Sequence, residues 1–275
     1  MIGRAAVALF AATALAAMAA AAEADDPYRL DNPDYWKSYA DNAGRIMATP
    51  FAGQEVDWER NALLLAAIGG AFLVDDDVER WMKRHRSAKA DTAASVAASF
   101  GTLNALGPAL AGGYALGRAT DDAKLQETAL LGAESLVLAS AFAEGIKRGV
   151  GRDRPNEPDQ KVDKADFNGP HARKDGSFPS GHTTAAFSVA AVVAAEYEQQ
   201  PAVGAAAYGI AGLTGLSRLY DREHWLSDVV AGAGLGTGVG LLVHHFRPFG
   251  PQGGALSFAP GAGSRPAGLT VTARF

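Results

Sequence analysis

Between Asn61 and Phe246 the apolar residues gather into runs, with polar or charged connectors between them. The runs cover 62–74, 93–117, 128–143, 183–195, 202–216 and 229–246. Each has helical length, and few alternate with the period of two that marks a half-buried strand. Ala, Leu and Gly fill most apolar positions, rather than the β-branched and aromatic residues that favour strands. The pattern predicts an all-α fold: a helical bundle of about six core helices, with small residues allowing close helix–helix approach.

A membrane span needs about 20 predominantly apolar residues. The 93–117 run is long enough but carries Asn104, Pro108 and several glycines, and 128–143 contains Glu134. The runs at 62–74 and 183–195 are short. They read as buried helices of a soluble bundle, with an integral membrane form as the alternative and membrane association left open.

The flanks differ in texture. Residues 1–22 read as a secretory signal peptide: a positive charge at Arg4, an apolar stretch, then small residues that suit cleavage after Ala22 or Ala24. That implies export, and in a bacterium a periplasmic location. Residues 23–60 form a polar extension with room for one short helix. The bundle is expected over 61–246. Residues 247–275 are rich in Gly and Pro, with short alternating pieces at 255–258 and 269–275, and predict a C-terminal β-hairpin or a loose tail. The segment 151–180 is too polar for core and too long for a simple turn, and such connectors are usually functional. It carries Glu157, Asp159, Asp163 and Asp166 against Lys161, Lys164, Arg173 and Lys174, a balance that selects no substrate.

Composition narrows the chemistry. The formal net charge of -5 argues against nucleic acid as a partner, which calls for a basic surface. Cysteine is absent, so disulfides and thiolate-bound metals are excluded. No acidic cluster stands beside the histidines to suggest a two-metal site. His171 and the pair His244 and His245 read as solvent-exposed loop and helix-end residues, so no metal or other cofactor is expected.

Three stretches carry candidate chemistry. In "KRGVGRDRP", Lys147 closes one predicted helix and Arg154 precedes Pro155; alone, this is a basic helix end stopped by proline. In "GSFPSGHTTAAFS", Pro179 keeps Phe178 extended, Ser180 suits an N-cap, and Gly181 lets backbone approach a ligand. The free N–H groups of a helix start bind anions, and His182 would stand beside one. In "SRLYDREHWLSD", His224 and Asp228 share a helix face four residues apart, and the carboxylate would hold one imidazole tautomer. Arg218 lies six residues earlier. Each stretch alone has a plain structural reading. Together they supply three cations, an anion-binding helix start and two histidines, which suits a tetrahedral oxyanion.

This pattern resembles the type 2 phosphatidic acid phosphatase superfamily, which includes bacterial class A acid phosphatases and vanadium haloperoxidases. The resemblance rests on Lys147-x6-Arg154-Pro155, Pro179-Ser180-Gly181-His182 and Ser217-Arg218-x5-His224-x3-Asp228, with every fixed position present, and spans roughly 60–246. It implies a metal-independent phosphatase acting on a lipid phosphate or a small soluble phosphate ester. In that scheme His224 is the nucleophile, Asp228 orients it, and His182 protonates the leaving group. Lys147, Arg154, Arg218, Ser180 and Gly181 hold the phosphate. A vanadium haloperoxidase, which holds vanadate with the same residue set, and a non-catalytic helical envelope protein are the alternatives.

Overall fold

The computed structural model describes residues 30, 33–48, 58–156, 163–171, 176–247, 257–260 and 269–272. The expected signal peptide lies outside them, as do Glu157, Asp159, Lys161, Arg173 and Lys174 of the connector. Eight α-helices occur among the described residues: α1 Pro33–Ala48, α2 Trp58–Arg84, α3 Ala88–Ser99, α4 Leu103–Thr120, α5 Ala123–Val150, α6 Gly181–Glu196, α7 Pro201–Tyr220 and α8 Leu226–His245. Two strands near the C-terminus, β1 Ser257–Pro260 and β2 Leu269–Thr272, pair antiparallel, from Ser257 opposite Thr272 to Pro260 opposite Leu269.

The apolar run at 93–117, read as one helix, is two. The chain turns at Gly101, where a Cβ would stand 2.6 Å from Thr214 Cγ2 and 2.7 Å from the His182 carbonyl oxygen. Only glycine passes so close. Thr102 then takes an extended conformation at the start of α4. The expected short N-terminal helix is α1, of 16 residues. It turns Tyr35, Asn42 and Ile46 inward, and Tyr35 packs with Leu130 and Tyr114.

Helix α6 packs against α5, α7 and α8. Its contact with α8 is made by glycines at four-residue spacing. A Cβ on Gly232 would lie 2.7 Å from the Ser180 carbonyl oxygen, one on Gly236 2.3 Å from that of Thr184, and one on Gly240 2.4 Å from that of Ser188. The two backbones therefore touch along about two helical turns, and the start of α6 is fixed beside the start of α8. Beyond this ladder the apolar core is Ile46, Leu131, Ala139, Val192, Val239 and Val243.

The outer surface departs from the soluble bundle expected. Large apolar side chains face outward on α2 (Leu63, Leu65, Leu73), α4 (Leu103, Leu116) and α7 (Ile210, Leu213, Leu216), with Leu73 74% exposed. Among the described residues, α5 and α8 are long and apolar enough to cross a membrane, and about half of each apolar stretch is buried in the bundle. Ala and Gly dilute the hydropathy of these runs, which hides the outward Leu and Ile from a reading of length alone.

Candidate active site

The ends of four helices meet at one end of the bundle. Helix α5 is capped by Gly151, whose left-handed backbone (φ 57°) donates its N–H to the Lys147 carbonyl. Gly176 passes close against Lys147: a Cβ there would lie 3.1 Å from Lys147 Cγ. The Lys147 ammonium is thereby aimed at the start of α6, with Nζ 3.7 Å from where a Cβ on Gly181 would stand. Ser180 occupies the N-cap position of α6, but its Oγ accepts from Thr183 Oγ1 at 2.9 Å rather than from a backbone N–H. No side chain caps α6, so the N–H groups of its first turn remain open to an anion. The Ser180 N–H itself donates to the Asp228 carbonyl at 3.0 Å, which ties α6 to α8.

His182 stands in that first turn, only partly exposed. Burial lowers its pKa from 6.5 to about 4, helped by the positive charge of Arg218 and then by His224, Lys147 and Arg154. Those four groups reach the imidazole from the end of α7, the loop before α8, α5 and the connector. His224 is buried, and its pKa is also lowered: burial dominates, the neighbouring Asp228 carboxylate opposes it, and Lys147 and Arg154 add to it. Its Nδ1 lies 3.7 Å from Asp228 Oδ2 and 3.5 Å from Ser177 Oγ. That geometry assigns the Nδ1 proton toward the carboxylate and leaves the Nε2 lone pair free. The separation is longer than a hydrogen bond, as such pairs often are before a ligand closes the site.

Asp228 is fully buried and firmly held. As the third residue of α8 its Oδ2 accepts the Trp225 N–H at 2.8 Å, the usual contact of an acidic residue at a helix start, and also accepts from Ser177 Oγ. Its Oδ1 accepts from Arg152 Nη1 at 2.5 Å. Arg152 is also buried, pairs with Asp75 at 2.8 Å, and lies among the rings of Phe72, Phe167 and Trp225. Removing one partner from such a buried pair typically costs about 3–5 kcal/mol, because a charge is left uncompensated.

The two outer arginines carry carboxylates. Arg154 pairs with Glu223, which also accepts from Asn156 Nδ2 at 3.0 Å, and Arg218 pairs with Asp221 at 2.5 Å. The described part of the connector folds back on the same end: the Lys164 carbonyl accepts from Arg152 Nε at 2.9 Å, and Lys164 Nζ reaches Asp76 at 3.1 Å.

All eight sequence-predicted residues, Lys147, Arg154, Ser180, Gly181, His182, Arg218, His224 and Asp228, fall at this end of the bundle. Arg152, Asp75, Ser177 and Glu223 were not singled out from the sequence. Arg152 and Ser177 sit inside the quoted motif stretches, where proximity to fixed positions was the available signal. Glu223 also sits in a quoted stretch, whereas Asp75 offers only the first of three acids that follow the 62–74 apolar run. At the opposite end, His244 corrects an expectation. It is partly buried and pairs with Glu196 at 3.1 Å, which Arg247 also meets at 3.2 Å, whereas His245 is exposed.

Fold and site together describe an all-α protein in which Lys147, Arg154, Arg218 and two histidines gather at helix ends. Residues 128–250 match the model of the PAP2 superfamily, the same superfamily that the three motifs resemble. The chain is 45% identical over 67 residues, 24% of its length, to a lipid A 1-phosphatase of Porphyromonas gingivalis, and the match spans 15% of that relative. Among solved structures it is similar to a transmembrane PAP2 type phosphatidylglycerolphosphate phosphatase from Bacillus subtilis, at 20% identity and a TM-score of 0.47, covering 77% of this chain and 92% of that one. It is also similar to LpxE of Aquifex aeolicus, at 22% identity and a TM-score of 0.46, covering 62% of this chain and 94% of that one.

Proposed function

We propose that the protein is a membrane-associated phosphatase that hydrolyses lipid phosphate monoesters through a phosphohistidine on His224. The observation that carries the reading is the convergence of Lys147, Arg154 and Arg218 on His182 at the open start of α6, with His224 buried beside it. Phosphoryl transfer asks mainly for positioning and charge stabilisation, and these groups supply both.

In the first step His224 Nε2 attacks phosphorus and the ester P–O bond breaks. Burial keeps that nitrogen unprotonated, and the Asp228 carboxylate stabilises the positive charge that develops on the ring. Lys147, Arg154, Arg218, Ser180 and the Gly181 N–H hold the non-bridging oxygens. The leaving alkoxide takes a proton from His182. In the empty site His182 is neutral above about pH 4, because burial and the surrounding cations disfavour its charge. A bound phosphate dianion offsets those cations and favours the imidazolium, so the acid is created by substrate binding. In the second step water gives a proton to His182 and attacks phosphorus, the P–N bond breaks, and phosphate leaves.

A lipid substrate is supported by the outward apolar side chains of α2, α4 and α7, by the length and apolarity of α5 and α8, and by the lipid A 1-phosphatase among its relatives. The signal peptide read over 1–22 would place the domain outside the cytoplasm. The test is hydrolysis of p-nitrophenyl phosphate and of phosphatidic acid in detergent micelles, side by side with EDTA present. Release from phosphatidic acid by wild type, lost in His224→Ala, is the expected result. Turnover of neither substrate would refute the phosphatase, and preference for the soluble ester would refute the lipid role.

A further inference from the structure

We propose that Asp75 and Arg152 form a positioning relay that sets the Asp228 carboxylate, and through it the His224 ring, for in-line attack; the relay rests on the phosphatase reading above. Arg152 and Arg154 stand two residues apart but do different work. Arg154 lies in the partly open cradle. Arg152 is fully enclosed, and all three of its nitrogens are engaged within the protein: Nε with the Lys164 carbonyl, Nη1 with Asp228 Oδ1 and with Ser227 Oγ at 2.7 Å, and Nη2 with Asp75 Oδ2. Four of its five N–H donors are engaged this way, and the side chain is shut off from the solvent through which a phosphate would arrive.

Asp75 completes the clamp from α2. It accepts the Ser227 N–H at 2.9 Å and the Ser227 hydroxyl at 2.6 Å, so it grips the first turn of α8 as well as the guanidinium. With Oδ1 of Asp228 fixed by Arg152, and Oδ2 by the Trp225 N–H and Ser177, the carboxylate cannot rotate, and Oδ2 stays turned toward His224 Nδ1. Stability alone does not account for three buried charges here, since a well-packed apolar set often serves as well or better. Their placement behind the group that faces the nucleophile does account for them. Asp75 lies outside the 128–250 segment, so the relay draws on a helix that the family match does not cover.

The experiment compares Asp75→Asn, Arg152→Lys, Arg152→Gln, Asp228→Asn and the Asp75→Asn/Asp228→Asn pair in the full chain, with His224→Ala as reference. Turnover of p-nitrophenyl phosphate, vanadate inhibition and thermal unfolding are measured. Asp75→Asn should lower kcat on the order of a hundredfold, as a displacement of about 1 Å near the chemistry does. KM and vanadate inhibition should stay near wild type, because the cradle is intact. Arg152→Lys should retain more activity than Arg152→Gln. In the Asp228→Asn background, Asp75→Asn should cost nothing further, because residues acting as a unit are not additive. Wild-type kcat in Asp75→Asn, a loss confined to KM, or a fully additive pair would each overturn the relay. If Asp75→Asn does not fold, Ser227→Ala removes one link without removing a charge; it should show a smaller loss in kcat alone, and wild-type kcat there also overturns the relay. An inactive His224→Ala beside a normal Asp75→Asn sinks the relay but not the phosphatase reading. An active His224→Ala overturns both.

Discussion

Gly236 offers the sharpest test of how the fold aligns the two histidines. A Cβ there would stand 2.3 Å from the Thr184 carbonyl oxygen and 3.0 Å from Phe187 Cβ, whereas ordinary contact begins at 3.4 Å. In Gly236→Ala the backbones of α6 and α8 must therefore part by about 1 Å, since a carbonyl in a helix cannot swing aside as a flexible side chain would. Overpacking of this kind costs about 1–3 kcal/mol. The same movement separates His182, half a turn before Thr184, from His224 just ahead of α8, and about 1 Å at a reacting centre costs on the order of a hundredfold in rate. Gly238 is the internal control: it lies on the same helix, and a Cβ there meets nothing within 4 Å. Gly238→Ala should keep activity and gain up to about 1 kcal/mol from helix propensity. Thermal unfolding in detergent and p-nitrophenyl phosphate turnover read both effects. A Gly236→Ala protein with wild-type stability and kcat, or a Gly238→Ala protein damaged as badly, would refute the ladder as the aligning device.

Two further outcomes are expected. Unfolded His182 takes up a proton near pH 6.5, but in the fold it does so only near pH 4, so its contribution to stability is present above about 6.5 and is lost as pH falls toward 4. His224 shifts in the same direction. Melting temperature should drop across that interval, and His182→Asn should flatten the drop; an unchanged slope would contradict the burial argument. Arg154→Lys keeps the charge but loses the planar fork, and should lower kcat/KM by about tenfold or more with little change in melting temperature. Full activity in that variant would remove Arg154 from the cradle.

The helices and the end of the bundle that carries chemistry were legible from the sequence because local rules govern them. Apolar runs rich in Ala and Leu make helices, and motifs at predicted helix ends do fall at helix ends. What was not legible depends on contacts between distant segments. The turn at Gly101 is crowded by α6 and α7, and its local signal, a glycine followed by Thr102 at the next N-cap, is easily lost inside an apolar run that holds several other glycines. The ladder of Gly232, Gly236 and Gly240 shows as a spacing, but its partners Ser180, Thr184 and Ser188 appear only once α6 and α8 are docked. Asp75 looked like one acid among three at 75–77, and only the fold shows it buried against Arg152 and Ser227. The outward apolar surface was missed because composition averages the two faces of each helix.

The most direct test of the central claim is to trap the intermediate. Wild type and His224→Ala would be mixed with a 32P-labelled phosphate ester, quenched in base, where a phosphohistidine survives, and digested to find the labelled peptide. The account predicts label on the peptide bearing His224 in wild type, with none in the variant. Turnover without label on that histidine, or label on another residue, would contradict it.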